Sequence, residues 1–188
     1  MTHFYTRMGD DGYTGLLGEG RIPKYALRPE AIGTIDEASA ALGIVRVMCQ
    51  AAQTGPLLLC VQRDLYNLMT ELAATPENIE RFHKIDISRV TWLEAQTDAI
   101  TELVNLPGEF IVPGDSPAGA AMDLARTIVR RAERRVAQLL HAGEIENPEL
   151  IRYLNRLSSL CFVLELLENQ AVGKTYPTLA KEMKQNNS

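Results

Sequence analysis

From Glu30 onward the apolar residues of this chain recur at intervals of three and four, a period that commits most of the sequence to helix. The first run, EAIGTIDEASAALGIVRVMCQAA, extends from Glu30 to Ala52, and Gly55-Pro56 interrupts it. Pro56 suits the first turn of a second helix reaching Ala73. Residues 74–86 read as a polar connector, and a third helix is predicted from Ile87 to Val104, ended by Leu106-Pro107-Gly108. EFIVPGDSP is an extended segment with a turn. Ser116 then caps a fourth helix with Pro117 at its first position, and Gly143 stops it after Ala142. The fifth runs from Pro148 to Asn169. Short connections and little strand make the expected architecture an all-α five-helix bundle. A chain of 188 residues is enough for one such core. The bundle is assigned to residues 29–174, after a Gly-rich segment at 1–28 with room for a short hairpin. A polar tail at 175–188 is expected to be loose at its end.

Charge narrows the partners. The formal net charge is −5, yet RTIVRRAERR, residues 126–135, holds five arginines and one glutamate. Positive charge gathered in one short segment of an acidic chain suits a small polyanion and argues against a nucleic-acid track. No apolar run reaches the length of a membrane span, and MTHFYTRMGD lacks the apolar stretch of a secretory signal. Cys49, Cys60 and Cys161 all fall on predicted helices and form no CxxC, so they read as reduced, buried structural thiols of a cytoplasmic protein. His3, His83 and His141 are scattered and give no metal-site spacing, so any metal ligands stay unassigned.

On a helical wheel Arg130 and Arg134 lie about 40° and 80° from Arg126, along one edge of the apolar face. Glu133 shares that edge, while Arg131 and Arg135 point further away. Three like charges at i, i+4 and i+8 repel one another, so they call for acids or a bound anion. A solvated face is the alternative. TRMGDDGYTGLLGEGRIPK, residues 6–24, favours the anion: five glycines allow backbone amides to approach a ligand, although the phosphate-loop pattern is absent. Asp36 in GTIDE is a candidate partner for one arginine. Asn155 is either surface-exposed or half-buried and in need of a polar partner, and Phe110 is either loop packing or a wedge against a flat ligand.

Three segments together resemble the PduO-type ATP:cob(I)alamin adenosyltransferases. TRMGDDGYTGLLGEGRIPK with EAIGTIDEASAALG is similar to their first signature. FIVPGDSPAGAAMDLARTIVRRAERRV is similar to the second, and RYLNRLSSLCFVLE to the third. The resemblance spans residue 6 to about 168. It implies a homotrimer with active sites between neighbouring subunits, where ATP binds with Mg2+ and cobalamin is the corrinoid substrate. It implies that Thr6, Arg7, Met8, Gly9, Thr14, Gly15 and Lys24 wrap the triphosphate. Arg130, Arg131, Glu133 and Arg134 would line the nucleotide from the adjacent chain, and Asn155 would touch it. Asp36 and Arg126 would form an ion pair between subunits, and Phe110 would push the lower axial base off cobalt. Phe110 and Arg130 are thus the catalytic candidates. The implied partners beyond substrates are a flavin-type reductase and an adenosylcobalamin-dependent enzyme, with no nucleic acid and no membrane. The chain departs from the family pattern at Asp11, where Lys is usual, at Tyr25-Ala26, where an acidic pair is usual, and at Asp115, where Gly is usual. The alternative function is a non-catalytic ATP- or corrinoid-binding protein that delivers cofactor.

Overall fold

Local signals in the sequence set most helix ends. A computed structural model describes residues 5–181. The Ser116 side chain accepts a hydrogen bond from Gly119 N at 2.9 Å and caps α5 (Pro117–His141), with proline in its first turn. Gly143, at φ +70°, ends it in the left-handed conformation that favours glycine. Asp86 caps α4 (Ile87–Thr101) by accepting from Ser88 N and Arg89 N. The other long helices are α1 (Leu27–Met48), α2 (Thr54–Ala73) and α6 (Glu149–Ala171). The polar connector contains a single helical turn, α3 (Ile79–Phe82).

The five long helices form one bundle. α5 packs against both α1 and α6, α2 against α1, and α4 against α6. Ala125, Val129, Ala132 and Val136 of α5 are fully buried and meet Leu154, Leu157 and Leu164 of α6 in one core. Ahead of the bundle, β1 (Tyr13–Gly15) and β2 (Arg21–Pro23) make a small antiparallel hairpin with Thr14 opposite Ile22.

Two expectations need correction, the bounds of the first helix and the burial of the cysteines. The first helix starts at Leu27, three residues early, because a proline at position 29 sits where a helix leaves N–H groups unused. It ends at Met48 rather than Ala52, because the fully buried Glu168 carboxylate takes the backbone N–H groups of Gln50 and Ala51 and the Thr54 hydroxyl. Cys49 is therefore a cap outside the helix, half-buried, and Cys60 is exposed on α2. Only Cys161 is a buried thiol, and burial pushes it up to about 12. The tail also turns back on the protein: Val112 N donates to Thr178 O and Ala180 N to Phe110 O, both at 2.8 Å. Its end, residues 182–188, lies outside the described residues, as does His3.

Gly119 provides a first test. The Ser116 hydroxyl donates to Asn169 Oδ1 at 2.6 Å in a buried contact between α5 and α6. A Cβ on Gly119 would meet that oxygen at 2.2 Å. Helix propensity alone favours Gly119→Ala by about 0.5–1 kcal/mol. The overlap reverses the sign, and we expect a net loss of about 1–3 kcal/mol by urea denaturation.

Candidate active site

The arginine edge of α5 divides into paired and unpaired members. Arg131 meets Glu37 at 2.5 Å and Arg135 meets Glu30 at 3.4 Å, both acids being on α1. Arg130 and Arg134 are exposed and have no acidic partner; Arg134 Nη1 donates to the Arg130 carbonyl at 2.9 Å. Glu133 forms no ion pair with either of them, and its Oε1 accepts from Asn155 Nδ2 at 2.9 Å. Asn155 Oδ1 in turn accepts from Arg156, which is bonded to Glu94. Glu133 and Asn155 therefore arrive on the edge as a unit, joined across α5 and α6.

The Gly-rich loop is folded around two cations. Arg21 forks onto both Asp11 oxygens, at 2.7 and 2.9 Å, and also donates to the carbonyls of Met8 and Tyr13. The Arg21 hydrogen bonds and the Tyr13 N–H hold the Asp11 carboxyl below the usual carboxylate range. Lys24 Nζ donates to Gly9 O at 2.8 Å. A Cβ on Gly9 would lie 2.8 Å from that Nζ, so a side chain there would displace the end of Lys24. Thr6 accepts from Met8 N, and Arg7 adopts φ +61°. Thr14 and Gly15 lie in β1. Leu17 anchors the hairpin to the end of α2, through Ala73 O and Thr75 N. Among the described residues, the hydrogen bonds and ion pairs of residues 6–24 stay within the loop or run to Ala26 and to residues 73–78; none reaches α5. The Asp11–Arg21 fork was not read from the sequence, where Asp11 stood only as a departure. An acid and an arginine flanking a Gly-rich turn were its signal.

A cavity of about 490 Å3 opens beside Phe110. Ile111, Pro113 and Phe162 supply apolar wall, and Asp123 and Arg126 supply a charged one. Phe110 is 85% exposed and belongs to no core cluster. Asp115 accepts from Thr178 N and Oγ1, at 2.8 and 2.7 Å, and these bonds hold its carboxyl below the usual range. Within the chain Arg126 is bonded to Asp123 at 2.7 Å, while Asp36, exposed on α1, makes no ion pair among the described residues. The Asp36–Arg126 pair expected above is one between subunits.

Unpaired guanidiniums on the same bundle as an aromatic-edged cavity define a helical protein equipped for an anion and for a bulky apolar ligand. Comparison with known proteins narrows that class. Residues 4–168 match the family described as Cobalamin adenosyltransferase. The corrinoid adenosyltransferase of Bacillus subtilis is 38% identical over 174 residues, covering 90% of this chain and 88% of that protein. Among solved structures, a Phe-to-Ala variant PduO-type ATP:corrinoid adenosyltransferase from Lactobacillus reuteri, complexed with cobalamin and ATP, superposes with a TM-score of 0.86. It is 30% identical and covers 96% of this chain and 100% of its own. An Arg-to-Lys variant from the same organism, complexed with ATP, gives 0.84 at 28% identity, covering 95% of this chain and 100% of its own. The chain belongs to the cobalamin adenosyltransferase family. No helix among the described residues is long and apolar enough to cross a membrane.

Proposed function

We propose that this protein is a corrinoid adenosyltransferase, moving the 5′-deoxyadenosyl group of ATP to cobalt(I) of cobalamin and giving adenosylcobalamin and triphosphate. The observation that carries the reading is the pair of acid-free guanidiniums, Arg130 and Arg134, one helical turn apart. The reaction breaks C5′–O5′, and the leaving triphosphate takes the electron pair. Cobalt(I) is itself the nucleophile and supplies both electrons of the new Co–C bond, so no side chain need attack. The protein's task is to align the two substrates and to neutralise the leaving group. Arg130 and Arg134 do the second, as charge-assisted donors.

The loop supplies the remaining donors. Arg7, Met8 and Gly9 present backbone N–H groups, and Thr6 and Thr14 present hydroxyls. Lys24 has one ammonium hydrogen on Gly9 O and two left for phosphate. In this reading the loop and the guanidiniums of one site are contributed by two subunits of a homotrimer, and the loop's own bonds, which bypass α5, leave room for it. Asp36 of one subunit then pairs with Arg126 of the next. Asn155 holds Glu133 beside the nucleotide. Among the described residues no three His, Cys, Asp or Glu side chains gather as a metal site. That fits an Mg2+ ion carried on phosphate oxygens and waters, which needs one or two carboxylates at most. Glu133 is the carboxylate on the edge and would hold it.

Phe110 stands free at the cavity mouth and would occupy the lower axial position of cobalt, displacing the base. Losing that donor makes reduction to cobalt(I) easier, a role that matters only when the protein starts from cobalt(II). A flavin-type reductase would supply the electron, and an adenosylcobalamin-dependent enzyme would take the product, all in the cytoplasm.

An anaerobic assay with chemically reduced cobalamin and ATP tests this reading. We expect the Co–C absorption spectrum to develop with release of one triphosphate per corrinoid. Tight binding of both substrates without turnover would mark a carrier instead, and no binding of either would refute the reading.

A further inference from the structure

Glu165 is the anomaly of the core. It sits on α6, one turn after Phe162, and is 1% exposed, yet neither carboxylate oxygen has a hydrogen-bond partner. Buried polar groups nearly always have one, and a buried unpaired charge is costly. Phe162, one turn before it, lines the cavity together with Asp123 and Arg126 of α5, and the charges of Asp123, Arg126 and Asp115 act on the Glu165 carboxyl, as it acts on the Cys161 thiol of its own helix. In the trimer, Asp36 of the partner subunit would reach the same arginine. Among the described residues Arg126 is the cation that acts on Glu165, while Lys174 acts on Asp115, and the partner of Arg126 within the chain is Asp123.

We propose that Glu165 is a positioning residue of the corrinoid cavity that acts through Arg126. When its buried carboxyl loses the proton it competes with Asp123 for the guanidinium, drawing Arg126 away from the cavity wall. The inference rests on the corrinoid reading for what the cavity holds, but not for the exchange of partners.

Protonation follows from the surroundings. Burial first, then Asp123 and Asp115, raise the Glu165 carboxyl from its ordinary 4.5 to about 7, against the opposing pull of Arg126. The folded protein therefore holds a proton that the unfolded chain has released. The stability this gives is present below the ordinary carboxylate range and is lost as pH rises through about 7. Around neutral pH both states of the cavity wall are populated.

The test uses the full chain and its Glu165→Gln variant, which keeps the shape and cannot ionise. First, the Arg126 Nε–H resonance, assigned with Arg126→Lys, is followed by NMR from about pH 6 to 8.5. In the wild type it should titrate with a midpoint near 7, and in Glu165→Gln it should stay at its low-pH position. Second, cob(II)alamin affinity, read from its visible spectrum at saturating ATP, should change severalfold over that range in the wild type and stay flat in the variant. A wild-type Arg126 resonance that does not move overturns the proposal, even if Glu165→Gln raises Tm at alkaline pH, since that gain alone means a structural role. An Arg126 resonance that titrates while corrinoid affinity stays flat in both proteins also overturns the positioning role. If the protein neither binds nor adenosylates corrinoid, the functional reading fails and the resonance still decides the partner exchange.

Discussion

Arg130→Ala is expected to raise the Kd for ATP roughly 10- to 150-fold. The guanidinium has no partner among the described residues, so its hydrogen-bonding capacity is free for phosphate, and a charge-assisted contact of that kind contributes about 1.5–3 kcal/mol. Nothing in the fold should respond. Arg130 is exposed, forms no ion pair, and leaves no acid stranded when removed. Tm should therefore stay within a degree or two, which separates a binding defect from unfolding. Arg131→Ala is the informative control, because Arg131 is committed to Glu37 in an exposed pair. Its loss should cost less ATP affinity than the loss of Arg130. Isothermal titration at fixed Mg2+ measures both. Equal losses would mean that freedom from an acid does not select the nucleotide ligands.

Phe110→Ala is expected to separate two assays that differ only in the oxidation state of cobalt at the start. With pre-reduced cob(I)alamin the reduction step is bypassed, and the loss should be modest. With cob(II)alamin and a reductant the loss should be at least about tenfold greater, on the order of 1.4 kcal/mol of extra barrier. Phe110 carries no packing duty that would blur this comparison, since its ring is largely exposed and only its carbonyl is bonded, to Ala180 N. Equal losses in the two assays would remove the axial role and leave Phe110 as wall.

The bundle was readable because its signals are local. Ser116 and Pro117 start α5, Gly143 stops it, and the three-and-four spacing of Ala125, Val129, Ala132 and Val136 names the buried face. The misplaced end of α1 was not readable, because its cause is Glu168, more than a hundred residues away in the chain. The returning tail escaped for the same reason: Thr178 finds Asp115 only after the fold has formed. Helical geometry put Arg130, Arg134 and Glu133 on one edge. It could not say which arginines α1 would claim, since Glu30 and Glu37 select Arg135 and Arg131 through helix packing. The hairpin for which residues 1–28 had room was found, whereas the fork of Arg21 onto Asp11 depends on a register that glycines alone do not specify.

The central claim is that loop and guanidiniums of one site come from different subunits, and hybrid trimers test it most directly. Arg130→Ala subunits keep a sound loop, and Gly9→Val subunits keep sound guanidiniums, and with ATP held near the wild-type Kd each variant alone is expected to lose most of its transfer. Co-expressed with different affinity tags and purified as mixed trimers, the two should recover about a third of wild-type adenosyl transfer, because one of the three interfaces in every mixed trimer joins a sound loop to a sound guanidinium pair. Mixed trimers as inactive as either parent would contradict the account and place both halves of the site on one chain.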